Sequence, residues 1–169
     1  TYMKPLNNLR DLLLEQMRDL LAAEQQQLML LPAIINEASD SELKEAIEKH
    51  LQDTRAQVVR MQQSFEILHE LPGNHENKSI TSLLKRTLQL AGRSNADQVR
   101  DAALITALQY LIHYEIAGYV TSCDYCSTLE DAAVGALLHK TLEEEKQSDK
   151  WLSRLAGQRV NKQAKPAIQ

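Results

Sequence analysis

Glu24, Asp53, Gln57, Glu115, Glu145 and Asp149 stand where a folded protein would be expected to put hydrophobic side chains. Each interrupts a series of apolar residues recurring at steps of three and four, the period of one α-helical face. Around Glu115 the series is Leu104, Leu108, Leu111, Glu115, Gly118 and Ser122. A carboxylate in the middle of such a stripe must be solvated, paired or bound to a cation. Burying it alone costs several kcal/mol or shifts its pKa.

The spacing gives this set a chemistry. Glu24 and Glu115 are single acids, whereas Asp53/Gln57 and Glu145/Asp149 are i,i+4 pairs that stack two oxygen ligands on one face. Each half of the chain supplies one helix with one acid and one helix with an acid plus a second ligand, a pseudo-twofold pattern. This approaches the dimetal carboxylate layout, in which two helices each give a Glu and two each give Glu-x-x-His. It departs from that layout at Asp53 and Gln57, which stand for Glu and His, and at Asp149, where a His is usual. An oxygen-rich set favours manganese or iron over zinc or copper, so two ions of either metal are the cofactor expected. The alternative is a metal-free polar layer, solvated or sharing protons, that fixes helix register. His50, one turn before Asp53, is read first as a core histidine or one that supports a ligand, with ligation the alternative, and Glu144, beside Glu145, replaces Glu145 if the fourth helix is rotated slightly. Tyr114 and Tyr119 flank Glu115, and a phenol there can hydrogen-bond to the layer. The remaining histidines fall on other faces or in loops.

These residues need four long helices. The first is expected over Leu6–Ala38, loosened near Pro32, and the second over Ser41–Leu71, stopped by Pro72-Gly73. Asp40 or Ser41 caps the second. A short crossover helix is expected over Ser79–Ala91, then a third long helix over Asp97–Ser127. Thr128 is placed as the cap of a fourth helix, Leu129–Ala156, which Gly157 ends. Short, long and short connections describe an all-α, four-helix bundle with one crossover, as in ferritin-like folds. Residues 1–5 are read as a disordered N-terminus, 6–157 as the bundle and 158–169 as a flexible tail.

Composition agrees with long helices. The 169 residues hold only 5 Gly, 4 Pro and 4% aromatics, against 43% hydrophobic residues. That length suffices for one domain with its own core. A net charge of −4 with scattered basic residues favours neither nucleic acid nor anionic lipid as partner. No apolar run approaches the ~20 residues of a membrane span, and no secretory signal precedes the first helix, so the cytoplasm is the expected location. Cys123 and Cys126 form a Cys-x-x-Cys pair near a helix end, without the preceding strand of a redox motif or two further soft ligands for zinc.

Ala22-Ala23-Glu24-Gln25-Gln26, His50-Leu51-Gln52-Asp53-Thr54, Val99 to Ile105, His113 to Tyr119 and Leu142 to Asp149 resemble the signature stretches of the bacterial YciF/YciE stress-protein family. The likeness runs from Leu9 to Ala156. It implies a ferritin-like bundle, a cytoplasmic stress response, homodimers and a dinuclear metal site on Glu24, Glu115, Glu145 and Asp149. The family often has Glu-Glu-Thr where this chain has Gln52-Asp53-Thr54, and sometimes a His at the place of Gln57. The function so implied is oxidoreduction of peroxide or O₂ at iron or manganese; the alternatives are metal sequestration or a metal-free structural or interaction protein.

Overall fold

The computed structural model describes residues 5–166 and is helical almost throughout. Four long helices, α1 (Leu9–Glu37), α2 (Ser41–Ile67), α4 (Asp97–Thr128) and α5 (Ala132–Leu155), form the bundle, and α3 (Lys78–Gly92) rides on the crossover between α2 and α4. α1 packs on α2 and α4, α5 packs on α4 and α2, and α3 lies mainly against α4. This is the four-helix bundle with a crossover helix that the connection lengths imply. Residues 1–4 and 167–169, the ends of the expected disordered N-terminus and flexible tail, lie outside the described residues.

Local chemistry sets most boundaries. Asn8, Asp40 and Asn77 cap α1, α2 and α3 by accepting bonds from the backbone of the first turn. Pro32 is accommodated within α1, which continues to Glu37. α2 stops earlier than expected. His69 adopts φ 54°, and Glu70 N–H reaches back to the carbonyl of Phe65, so a left-handed closure ends the helix before Pro72. Thr128 is not the cap of α5: it belongs to the last turn of α4, its hydroxyl donating to the carbonyl of Asp124, and α5 begins at Ala132.

The C-terminal segment also departs from its expected looseness. Past Gly157 the chain continues through a π-helical turn, Ala156–Val160, and a last helical turn, Asn161–Gln163. Val160 is buried in the core, and Arg159 pairs with Asp40 and Glu42 at the start of α2. A single buried valine and that ion pair tether a stretch whose polar composition suggested none.

Two hydrophobic clusters fill the bundle. One gathers Leu31, Ile34, Leu43, Ile47, Leu104, Leu108, Leu152 and their neighbours. The other gathers Leu13, Met17, Leu20, Met61, Phe65, Leu138 and theirs. The helices run through both, and their interior polar residues lie where one cluster gives way to the other. Gly118 on α4 permits the close approach this requires, since a Cβ there would stand 2.8 Å from Leu20 Cδ2 on α1.

Candidate metal centre

Each long helix contributes to one buried polar layer. Glu24 and Gln27 come from α1, His50, Thr54 and Gln57 from α2, Glu115 from α4 and Glu145 from α5. Glu24, Gln27, Thr54, Gln57, Glu115 and Glu145 are all fully buried, and His50 is nearly so.

Gln27 organises one side of the layer. Its amide donates to Glu115 Oε1 at 2.5 Å, which leaves its carbonyl facing His50 Nε2 at 2.9 Å. An amide oxygen only accepts, so this network assigns the hydrogen to Nε2 and leaves the lone pair on Nδ1. Nδ1 then faces Glu145 Oε1 at 3.8 Å without a hydrogen-bond partner. A histidine fixed through one nitrogen with its other lone pair free is how metal-binding imidazoles are held.

Across the layer, Tyr119 donates to Glu24 Oε1 at 2.8 Å, and Gln57 donates to Glu145 Oε1 at 2.8 Å and Glu144 Oε2 at 3.2 Å. Among the described residues, five acceptor atoms of these layer side chains remain buried and unpaired: Glu24 Oε2, His50 Nδ1, Gln57 Oε1, Glu115 Oε2 and Glu145 Oε2. Burial is the main cause that raises the proton affinities of Glu24 and Glu115 well above the ordinary carboxylate value. Next come the neighbouring charges of Glu145 on Glu24 and of Glu24 on Glu115. Glu145 is raised as well, again by burial, with His50 and the Gln57 amide opposing. Tyr119 is pushed up by burial and by Glu24, which keeps it a donor.

The residues read from sequence separate into two groups. Glu24, Gln57, Glu115 and Glu145 converge; Asp53 and Asp149 do not join them. Asp53 turns outward to the Lys49 ammonium one turn before it. Asp149 turns to His113 at 3.1 Å and to the Gln109 amide at 3.2 Å. Both acids find a partner at the surface, cheaper for a charge than burial. Glu144 is also outside the cluster, clasped by Arg60. His50 is the ligand candidate that gains: atoms of His50, Glu115 and Glu145 lie within 4.8 Å of one another.

Arg60 went unread as part of the layer, although Gln57, Arg60 and Ser64 follow the helical step. Its guanidinium is nearly buried, donating to Thr141 Oγ1 at 2.7 Å and to both oxygens of Glu144. Tyr114 serves elsewhere: its hydroxyl accepts from Asn77, which caps α3 and ties the crossover to the bundle. Cys126 is buried and its thiol pushed up to about 12, mainly by burial, so it is a packing residue with little thiolate.

The donor set suits a cation. Three oxygen and nitrogen ligands at ~2.1 Å from one ion stand about 3.4–3.6 Å apart, so His50, Glu115 and Glu145, within 4.8 Å of one another, need to close in by about an ångström. A positive ion would also satisfy unpaired buried oxygens that no side chain reaches.

Four long helices, a crossover helix and a buried acid layer between two apolar clusters define a ferritin-like bundle with a candidate metal centre. The family model for the domain of unknown function DUF892 matches residues 8–165, and the chain belongs to that family. Protein YciF of Escherichia coli (strain K12) is 32% identical over 160 residues, 94% of this chain and 96% of YciF. The crystal structure of the E. coli stress protein YciF matches with a TM-score of 0.88 at 31% identity, covering 93% of this chain and 99% of that one. YcfI from Rhodopseudomonas palustris matches with a TM-score of 0.86 at 31% identity, covering 90% and 98%. Protein XCC3681 from Xanthomonas campestris pv. campestris, 19% identical with a TM-score of 0.73 over 92% and 95% of the two chains, shares the fold. The YciF-family resemblance read from the signature stretches is thereby borne out.

Proposed function

We propose that the chain is a metal-dependent stress protein whose buried layer binds iron or manganese and turns over peroxide or O₂. The observation that carries this reading is the convergence of unpaired acceptors from all four long helices, with His50, Glu115 and Glu145 close enough to share one ion. Bound iron or manganese supplies the electron transfer that amino-acid side chains lack.

The protein's own part is to hold and isolate. Gln27 orients His50 and Glu115 together, and the Gln57 amide holds Glu145. Tyr119 and Glu24 hold a proton between phenol and carboxylate at Glu24 Oε1, beside the candidate ligands. The two hydrophobic clusters exclude bulk water from the layer, which strengthens each electrostatic contact inside it.

The test is metal analysis of protein exposed to ferrous and manganous ions, followed by peroxide consumption by the loaded protein. Uptake with turnover is expected, and both are lost in Glu115→Gln. Failure to retain either metal at micromolar excess overturns the reading and leaves a proton-sharing structural layer. Retention without turnover reduces it to sequestration.

A further inference from the structure

We propose that this layer takes one divalent cation, on His50, Glu115 and Glu145, and that Arg60 stands in place of a second. The inference rests on the metal-binding reading above and revises the two-ion expectation that came with the helical pattern.

The ferritin-like dimetal layout needs a Glu-x-x-His pair on each of two helices. On α5 the inward pair at that spacing is Glu145 and Ser148; on α2 it is Thr54 and Gln57. Both histidines are thus missing, and so is one carboxylate. The losses are not equivalent. On the α5 side, His50 compensates: it shares a small cavity with Ser148, and its ring enters the layer from the facing helix. One imidazole and two carboxylates are then in place for one ion.

The α2 side has no such replacement. The Thr54 hydroxyl is spent on the carbonyl of His50 at 2.8 Å. Gln57 turns its NH₂ to Glu144 and Glu145, and its free oxygen is neutral. That oxygen can complete the coordination of the first ion, but it brings no charge to hold another. Glu24, the fully buried acid left for this side, accepts from Tyr119 through Oε1, and its free Oε2 is a single charged ligand where a second dication needs several.

A fixed cation is instead present. Arg60 is held by Thr141 and Glu144, and its guanidinium and the Gln57 amide donate to the same Glu144 oxygen, so the positive charge stands one shared acceptor away from the position where the second helix lacks its ligand. A second dication would have to enter beside a guanidinium that cannot deprotonate. The half of the layer that lost its ligands is therefore the half that carries a built-in positive charge.

Manganous titration of the metal-stripped full chain tests this, with bound manganese counted after desalting and low-temperature EPR of the loaded protein. One manganese per chain with the hyperfine sextet of an isolated ion is expected, and His50→Ala is expected to weaken binding at least tenfold. Two ions per chain with an exchange-coupled spectrum would overturn the inference while leaving the metal-binding function intact; no uptake would remove both. The double variant Thr54→Glu with Gln57→His is expected to admit a second ion and the coupled spectrum. If it folds and still binds one, Thr54 and Gln57 do not set the number. If it does not fold, the wild-type count and spectrum decide alone.

Discussion

The phenol of Tyr119 on α4 donates to Glu24 Oε1 on α1 at 2.8 Å, and both side chains are fully buried. It is the hydrogen bond that the structure gives Glu24, whose other oxygen has no partner. Tyr119→Phe keeps the ring and removes the donor, leaving a buried carboxyl wholly unpaired. The expected cost is about 1–3 kcal/mol in the metal-free protein, read from urea unfolding. No loss of stability would mean that Glu24 finds another donor.

Acid should stabilise the metal-free protein. Burial above all, with repulsion from neighbouring acids, raises Glu24, Glu115 and Glu145 above the ordinary value of 4.5 in the folded state. Between that value and the raised ones, the folded chain binds protons that the unfolded chain has released. Stability therefore falls as pH rises through this window. In chelator, the melting temperature is expected to climb as pH drops from neutrality toward the ordinary carboxylate value of 4.5. Manganese needs ionised ligands, so its stabilising shift should grow in the opposite direction, with rising pH. A metal-free melting temperature that falls steadily on acidification over that range would contradict the assignment.

Substitutions separate the acids that converge from those that do not. Asp53→Ala and Asp149→Ala remove groups paired at the surface with Lys49 and His113, and manganese affinity should stay within about twofold. Glu145→Gln and Gln27→Leu should each weaken it at least about tenfold, the first by losing a ligand and the second by releasing the His50 ring. Calorimetric titration reads both. Equal effects from the two pairs would mean that the layer is not where the metal goes.

The helical period was enough to find Glu24, Glu115 and Glu145, because each continues a stripe that is mostly apolar at helical spacing and has no basic residue three or four positions away to draw it outward. It failed at single-residue resolution on α2. The buried face steps from His50 by four to Thr54, not by three to Asp53, a difference of about 100° around the axis. A signal was present: Lys49 lies four residues before Asp53, the spacing of an exposed ion pair. For Asp149 the local cue misled as to the partner: Lys146 stands three residues before it but pairs with Glu143, and the partners of Asp149, His113 and Gln109, come from another helix. The crossover and bundle order were legible from connection lengths. The burial of Val160 was not, because one apolar residue in a polar stretch carries no periodicity.

Gly118 is expected to matter through Leu20. A Cβ there would meet Leu20 Cδ2 at 2.8 Å, with Cγ at 3.4 Å and Cδ1 at 3.5 Å, and Leu20 is itself buried. Alanine gains about 1 kcal/mol of helix propensity but loses about 1–3 kcal/mol to overpacking, so Gly118→Ala should be neutral to destabilising by about 2 kcal/mol. Gly118→Val adds two methyls and lower propensity, and its loss should be clearly larger. Leu20 is one turn from Glu24, so the valine variant should also weaken manganese binding. Denaturant midpoints and metal titration on the two variants check the order.

Asp101 staples the bundle at the turn that joins α1 to α2. The carboxylate, nearly buried on α4, accepts from the backbone N–H of Ser39 at 2.8 Å and of Asp40 at 2.9 Å. Asp40 in turn caps α2 and receives Arg159 from the C-terminal segment. One acid thus links three parts of the chain through the residue that starts α2, and that start sets the register of His50 and Gln57. Bonds to a charged acceptor contribute about 1.5–3 kcal/mol each, so Asp101→Ala should cost roughly 3–5 kcal/mol, allowing for partial rescue by water. Asp101→Asn keeps one acceptor and should cost about half as much. Urea unfolding measures both. Hydrogen exchange at Ser39 and Asp40 should accelerate well before the rest of α2, because the staple protects those two amides directly.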